Sequence, residues 1–204
     1  MGDIYKASHV FVVREKDVIM IGTHNSLTCY SASKRWMRLF SFMWRCQKLT
    51  ISRQFEKGAT FFDIRVRFND DGDYCFCHGL VDIVSWWDIT TLLDFIKKNG
   101  GFCRIVVERG SPIGIFDIIP SEYLSDGTVI QVIVKKGWKV LYSNTDNIEM
   151  VDHTYVPVNT GKGFWWNVRH FKPSTIKRWA RKHNPKFDED TIKDDKIHFV
   201  DYLE

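Results

Sequence analysis

An α/β fold with a largely parallel sheet follows from three features of the sequence. Short apolar runs such as Val18–Gly22 (VIMIG) and Phe102–Val107 (FCRIVV) have the length and composition of buried strands. Segments with helical start and stop signals lie between them, as at Asp88–Lys98. One run, Thr60–Phe68 (TFFDIRVRF), alternates apolar Phe62, Ile64 and Val66 with charged Asp63, Arg65 and Arg67, the period of a strand. Strands that alternate with helices make a parallel sheet the economical architecture.

The elements follow in order. Val18–Gly22 leads into the polar turn Thr23-His24-Asn25-Ser26. Lys34–Cys46 mixes Trp36, Met37, Leu39, Phe40, Met43 and Trp44 with basic residues and reads as a helix with a broad apolar face. Gln47–Lys57 continues as a helix after a break and stops at Gly58. After the strand Thr60–Phe68, the run Asn69-Asp70-Asp71-Gly72-Asp73 is a strong turn signal, and Tyr74–Phe76 returns as a strand into Cys77-His78-Gly79. Asp88 caps a helix that Asn99-Gly100-Gly101 ends. Phe102–Val107 is followed by Glu108-Arg109-Gly110. A helix is expected near Pro120–Leu124, a strand at Trp138–Tyr142, a helix at Pro173–Arg181 and a terminal strand at Ile197–Tyr202. In Val129–Val134 (VIQVIV) periodicity does not separate helix from strand. No repeat, low-complexity run or linker interrupts residues 1–204, so one domain is the simplest organisation.

With 204 residues and a 44% hydrophobic fraction, the chain can bury a core without disulfide staples. Its five cysteines (Cys29, Cys46, Cys75, Cys77 and Cys103) include no CxxC pair, and all five read as free thiols in a reducing compartment. A structural zinc site is not expected from such spacing. The first 17 residues are broken by charges and do not form a secretory signal. No segment approaches the roughly 20 apolar residues of a membrane span. The expectation is a soluble, cytoplasmic protein with peripheral membrane contact. A net charge of +4 favours phosphate-bearing surfaces without choosing among them. No nucleic-acid motif is present, and nucleic acid is not an expected partner. The pairs Trp86–Trp87 and Trp165–Trp166 suit either core packing or a lipid interface.

The chemistry-bearing residues stand at strand ends. His24, His78 and Glu108 each follow an apolar strand, and Asp63 and Arg65 share one strand face. Two histidines can serve as base and acid in one reaction near neutral pH. An arginine can grip a phosphate with two parallel hydrogen bonds. Two histidines and an arginine together suit attack at a phosphodiester. Each also has a structural reading, and Asp63 with Arg65 could be an intrastrand ion pair.

The order of the pieces resembles a known family. Gly22-Thr23-His24-Asn25-Ser26, then Gly58-Ala59-Thr60-Phe61-Phe62-Asp63-Ile64-Arg65, then His78-Gly79 resembles the X region of phosphatidylinositol-specific phospholipase C. That family carries G-[TS]-H-[DN]-S, G-x-x-[FY]-[FL]-D-[IL]-R and a later H-G. The resemblance is strongest over residues 18–110, about half the chain. It implies a small, distorted or incomplete TIM (β/α)8 barrel of the PLC-like phosphodiesterase type over residues 1–204. It implies His24 as general base, His78 as general acid, Arg65 as phosphate clamp and Asp63 as its support. Asp201 resembles a late-strand aspartate that pairs with the first histidine. Asn25, Glu108 and Arg109 are the expected substrate contacts.

Arg65 resembles the metal-independent bacterial type, so no cofactor is the first expectation. Asn25 and Glu108 resemble the calcium-dependent type, whose alternative ligand set would be Asn25, Asp63 and Glu108. The expected partner is a phospholipid at a membrane surface. The competing functions are a glycerophosphodiester or sphingomyelin phosphodiesterase, and a catalytically silent barrel that binds phosphoinositide or a protein.

Overall fold

The computed structural model describes residues 20–41, 44–109, 112–136, 139–145, 148–152, 176–177, 180–181, 184, 196–201 and 203. The predicted helix at Pro173–Arg181 and the Trp165–Trp166 pair lie wholly or partly outside these residues.

The described elements are β1 (Met20–Thr23), β2 (Ser31–Ala32), α1 (Arg35–Leu39), α2 (Ile51–Glu56), β3 (Ala59–Phe68), β4 (Tyr74–His78), β5 (Val81–Val84), α3 (Ile89–Lys98), β6 (Phe102–Arg109), α4 (Pro112–Ile118), α5 (Ser121–Ser125), β7 (Val129–Lys136), β8 (Lys139–Ser143), β9 (Met150–Asp152) and β10 (Ile197–Val200). The strands form one 10-stranded sheet. From β9 through β10, β1, β3 and β6 to β7 every pairing is parallel. The strand β8 then adds antiparallel to β7, and the hairpin β4–β5 branches from β3. Among the described residues β8 and β9 do not pair, so the sheet is open. The expected (β/α)8 closure is thus not seen: β8 turns back on β7 where a closed parallel barrel would run onward.

Alternation along the strands sorts residues onto two sides. Phe62, Ile64 and Val66 of β3, with Cys103, Ile105 and Val107 of β6, join Leu92, Leu93 and Ile96 of α3 in the main core. The opposite side carries a smaller cluster of Met20, Phe61, Ile197 and Phe199, with Phe102, Ile130 and Met150 packed on it. Asp63, Arg65, Arg104 and Glu108 continue that second side toward the C-terminal ends of the strands, because Phe61 and Phe102 set its parity.

Local signals account for several elements. Asp88 caps α3 by accepting from Thr91 N at 2.9 Å, and Gly100, at φ +70°, ends the helix in the left-handed region. The ambiguous run Val129–Val134 is a strand between β6 and β8, parallel to the first and antiparallel to the second, and burial on both faces erases alternation. The long helix expected over Lys34–Cys46 is shorter. Among the described residues of this segment α1 is the only α-helix, and none of its residues is buried. The chain then doubles back, so that Trp44 is buried and its Nε1 donates to Met37 O at 2.9 Å. The apolar residues of this segment therefore do not share one packed helical face.

Gly22 sits where three core side chains meet. A Cβ there would lie 2.8 Å from Ile197 Cγ2, 2.8 Å from Phe199 Cδ2 and 2.9 Å from Phe61 Cδ1. Gly22→Ala is expected to destabilise the fold by about 1–3 kcal/mol through overpacking. Urea unfolding checks this, and an unchanged midpoint would show that the β1–β10 contact has room to relax.

Candidate active site

His24 enters the site from a turn built to expose it. Ser26 Oγ donates to Thr23 O at 2.7 Å and accepts from Asp63 N at 2.9 Å, while Ser26 N donates to Asp63 O at 3.0 Å. These bonds lock the turn after β1 against β3. Asn25 occupies the left-handed region at φ 48°, which asparagine tolerates better than most residues. Gln47, fully buried, donates to Val200 O at 2.9 Å and His24 O at 3.2 Å, and its Oε1 accepts from Leu203 N at 3.2 Å. The turn after β1 is thereby tied to the end of β10.

Asp63 is the centre of charge. Its side chain is fully buried. Oδ2 accepts from Arg65 Nε at 2.9 Å and from Asn25 N at 3.1 Å, and Oδ1 accepts from Arg104 Nε at 2.7 Å. Burial alone would raise the carboxyl pKa; Arg104, Arg65 and His24 outweigh it and hold it well below the usual carboxylate range. The guanidinium of Arg104 also lies over the Phe199 ring, 4.4 Å from its centroid.

Arg65 uses all three of its nitrogens. Nε donates to Asp63, Nη1 donates to Glu108 Oε1 at 2.7 Å, and Nη2 donates to His24 Nε2 at 2.7 Å. Burial opposes its charge, but Asp63 and then Glu108 raise its pKa above the ordinary value, so it remains a cation. The guanidinium fills the space between Asp63 and Glu108. Asp63 and Glu108, which with Asn25 make up the calcium-type set, therefore each accept a hydrogen bond from Arg65.

The tautomer of His24 follows from its partners. Arginine only donates, so Nε2 is the acceptor of Arg65 Nη2, and Asn25 Nδ2 donates to the same atom at 2.9 Å. The proton therefore sits on Nδ1 and is given to Asp201 Oδ1 at 2.8 Å. This leaves an imidazole with a bare Nε2 and a carboxylate behind it. Asp63 Oδ2 is 4.0 Å from Nε2, beyond hydrogen-bond reach.

His78, at the end of β4, faces His24 with ring centroids 6.3 Å apart. Its Nδ1 donates to Trp44 O, so its Nε2 is also bare. Burial, and then the charges of Arg65 and His24, push its pKa down to about 3. A standing imidazolium is thus disfavoured in the ligand-free site.

The structure brings together His24, Asn25, Asp63, Arg65, His78, Glu108 and Asp201. Arg109 lies elsewhere. It is exposed, pairs with Asp70 at 3.4 Å and lines a separate cleft with Phe68, Asn69 and Asp117. It is the last residue of β6 and reaches Asp70 in the loop after β3. Sequence reasoning missed Arg104, Lys135 and Gln47. Arg104 was visible as one charge inside the apolar run FCRIVV, two residues from Phe102 on the same face. Lys135 follows VIQVIV, where burial and then neighbouring Arg65 lower its pKa. Gln47 carried no signal.

The sequence matches no protein-family model and no curated protein. Among solved structures, the fold is similar to phosphatidylinositol-specific phospholipase C from Listeria monocytogenes. The likeness has a TM-score of 0.56 at 15% identity and covers 92% of this chain and 89% of that one. A phosphatidylinositol-specific phospholipase C of S. aureus, studied for its membrane binding, matches over 55% of this chain and 37% of that one, at 18% identity and a TM-score of 0.36. The first likeness is one of fold.

The His78 shift carries a stability signature. Its pKa falls from 6.5 to about 3 on folding, so between these values the unfolded chain binds a proton that the folded chain does not. The contribution is complete above about 6.5 and is lost as pH falls toward 3. His78→Asn, whose amide keeps a donor for Trp44 O, removes this arm. The urea midpoint of the wild type is expected to fall more steeply than the variant's from about pH 7 to about pH 4. Parallel curves would contradict a depressed His78.

Proposed function

We propose that this chain is a phosphodiesterase that cleaves phosphatidylinositol-type phospholipids without a metal ion. The observation that carries the proposal is the bare Nε2 of His24, backed by Asp201 and set beside Arg65 and His78. A base, a phosphate clamp and a second imidazole stand within one cluster: His24 follows the parallel strand β1, Arg65 lies on β3, and His78 ends β4, which runs antiparallel to β3.

The steps balance as follows. The substrate hydroxyl takes the place of Arg65 Nη2 on His24 Nε2, and Nη2 turns to a non-bridging phosphate oxygen. His24 accepts the hydroxyl proton as the oxygen attacks phosphorus, and Asp201 stabilises the imidazolium. The bond from phosphorus to the diacylglycerol oxygen breaks, and His78 Nε2–H protonates that oxygen. The products are diacylglycerol and a cyclic inositol phosphate. His78 gains its proton with substrate, because a phosphate anion favours the imidazolium against both the burial and the Arg65 charge that depress its pKa. Arg65 supplies the positive charge that a cation would otherwise supply, and Asp63 with Arg104 keeps it in place.

The border of the site suits a lipid surface. Trp36 (55% exposed), Leu39 (77%) and Phe40 (45%) project from α1 and its end, and Leu80 (82%) follows His78 by two residues. Trp44 connects this border to the site, since its Nε1 donates to Met37 O and its carbonyl accepts from His78. Lys34, Arg35 and Arg38 lie among the exposed apolar groups, and no acidic residue occurs from 18 to 55. Apolar side chains with flanking cations favour anionic bilayers. No described helix is long and apolar enough to cross a membrane.

Phosphorus NMR of the protein with phosphatidylinositol in detergent micelles tests the activity. A cyclic inositol phosphate signal that persists in EDTA is expected, and its absence with and without calcium would reject the assignment. His24→Ala is expected to lower turnover by about 10²–10⁴-fold. Arg65→Lys is expected to be comparably severe, because lysine does not reproduce the fork. A mild effect in either would remove that residue from the mechanism. For the surface, Trp36→Ala with Leu39→Ala should weaken binding to phosphatidylserine vesicles by roughly tenfold or more, from the apolar area withdrawn. Unchanged partitioning would move the lipid contact away from α1.

A further inference from the structure

Of the three buried cysteines, Cys46, Cys77 and Cys103, one stands beside the base and has no part in the proposed reaction. Cys46, 2% exposed, lies in the segment between α1 and α2, yet its sulfur reaches the same corner as the base. Donor atoms of His24, Cys46 and Asp201 all lie within 4.8 Å of one another. The three come from distant parts of the chain: the turn after β1, this segment and the residue after β10. Asn25 Nδ2 lies 3.4 Å from Cys46 Sγ, and Asn25 Oδ1 is buried with no hydrogen-bond partner. The unpartnered oxygen at this corner is that of Asn25, beside three side chains of metal-binding type.

We propose that His24, Cys46 and Asp201 form a zinc-binding site that, when filled, withdraws His24 from proton transfer. One thiolate, one imidazole and one carboxylate are a borderline-soft set, which suits zinc and not magnesium or calcium. Zinc bonds of about 2.0–2.3 Å place tetrahedral ligands roughly 3.3–3.8 Å apart. The sulfur need close only slightly from its present limit, and the His24–Asp201 contact opens from 2.8 Å. Three protein ligands leave the fourth position for water or a substrate oxygen.

The proton balance is simple. Zinc replaces the Cys46 Sγ–H proton, which goes to solvent. A thiolate is the ligand form, so zinc binding releases that proton. If zinc takes His24 Nδ1, the proton there shifts to Nε2, Arg65 Nη2 and Asn25 Nδ2 turn away from that atom, and the acceptor of the substrate proton is already protonated. If zinc takes Nε2, it covers that atom. Either ligation silences the base, and no electron changes hands.

Binding stands apart from the phosphodiesterase assignment; only the inhibition rests on it. Cobalt(II) titration of the full chain is the first test, since a thiolate ligand gives a charge-transfer band in the near ultraviolet. The wild type is expected to show the band at one cobalt per chain, to lose it to added zinc, and to keep it in Cys75→Ser. Cys46→Ser, checked for folding by circular dichroism, should lack the band and bind zinc more weakly by about 100-fold or more. Even groups one shell beyond the ligands are worth about 10–100-fold. A wild type without the band, a band kept in Cys46→Ser or a band lost in Cys75→Ser overturns the site. Zinc absorption-edge spectroscopy of the wild type needs no variant. One sulfur near 2.3 Å with nitrogen or oxygen near 2.0 Å is expected, and no sulfur or several sulfurs overturns the assignment. If the site binds as described and the protein cleaves phosphatidylinositol, zinc should suppress that cleavage in the wild type more than in Cys46→Ser; equal suppression overturns the inhibitory role.

Discussion

Everything at the open end of this sheet hangs on one buried carboxylate. Asp63 has no exposure to solvent, yet it is held ionised because two guanidinium groups and a backbone N–H converge on its oxygens. An isolated carboxylate in such a place would take up a proton. With Arg65 and Arg104 beside it, the charged form wins, and its pKa stays well below the ordinary range. The orientation of Arg65 follows from that ion pair. The acceptor nitrogen of His24 follows from Arg65, and the Nδ1 proton aimed at Asp201 follows from the acceptor nitrogen.

The parallel sheet makes this network possible. Three adjacent strands, β1, β3 and β6, deliver His24, Asp63 with Arg65, and Arg104 with Glu108 to one side, since side chains two apart share a face. Gly22 permits β1 and β10 to pack closely beneath them, and β10 then presents Asp201 to His24. The polar layer rests on Phe61, Phe102 and Phe199, so the charges have an apolar floor that strengthens each pairing. Arg65 is a cation held between two carboxylates, and an incoming phosphate would compete with Glu108 and His24 for its donors.

Much of this was legible in the sequence because it is local. The alternation in TFFDIRVRF places Asp63 and Arg65 together, and the turn residues around His24 and His78 mark strand ends. The cap at Asp88 and the stop at Gly100 appear where the residue types require them. Other features depend on distant contacts. Arg104 finds its role only when β6 lies beside β3, and Gln47 only when the chain end returns to bond it. Arg109 was misplaced because its pairing with Asp70 at the exposed end of β6 depends on how the loop after β3 folds. The helix over Lys34–Cys46 looked longer because composition does not reveal that Trp44 packs back on Ala32 and Val81. The antiparallel turn-back of β8, which leaves the sheet open, is likewise a matter of pairing and not of propensity.

The central claim is that ionised Asp63 acts through Arg65 to keep His24 with a proton on Nδ1 and a bare Nε2. The most direct measurement is nitrogen-15 NMR of the imidazole rings at neutral pH, with His24 assigned among the 7 histidines by His24→Gln. The spectrum is recorded for the wild type and for Asp63→Asn. The account predicts a single Nδ1–H tautomer for His24 in the wild type and a mixture, or the Nε2–H form, in Asp63→Asn. An Nε2–H tautomer in the wild type, or no change on replacing Asp63, would contradict it.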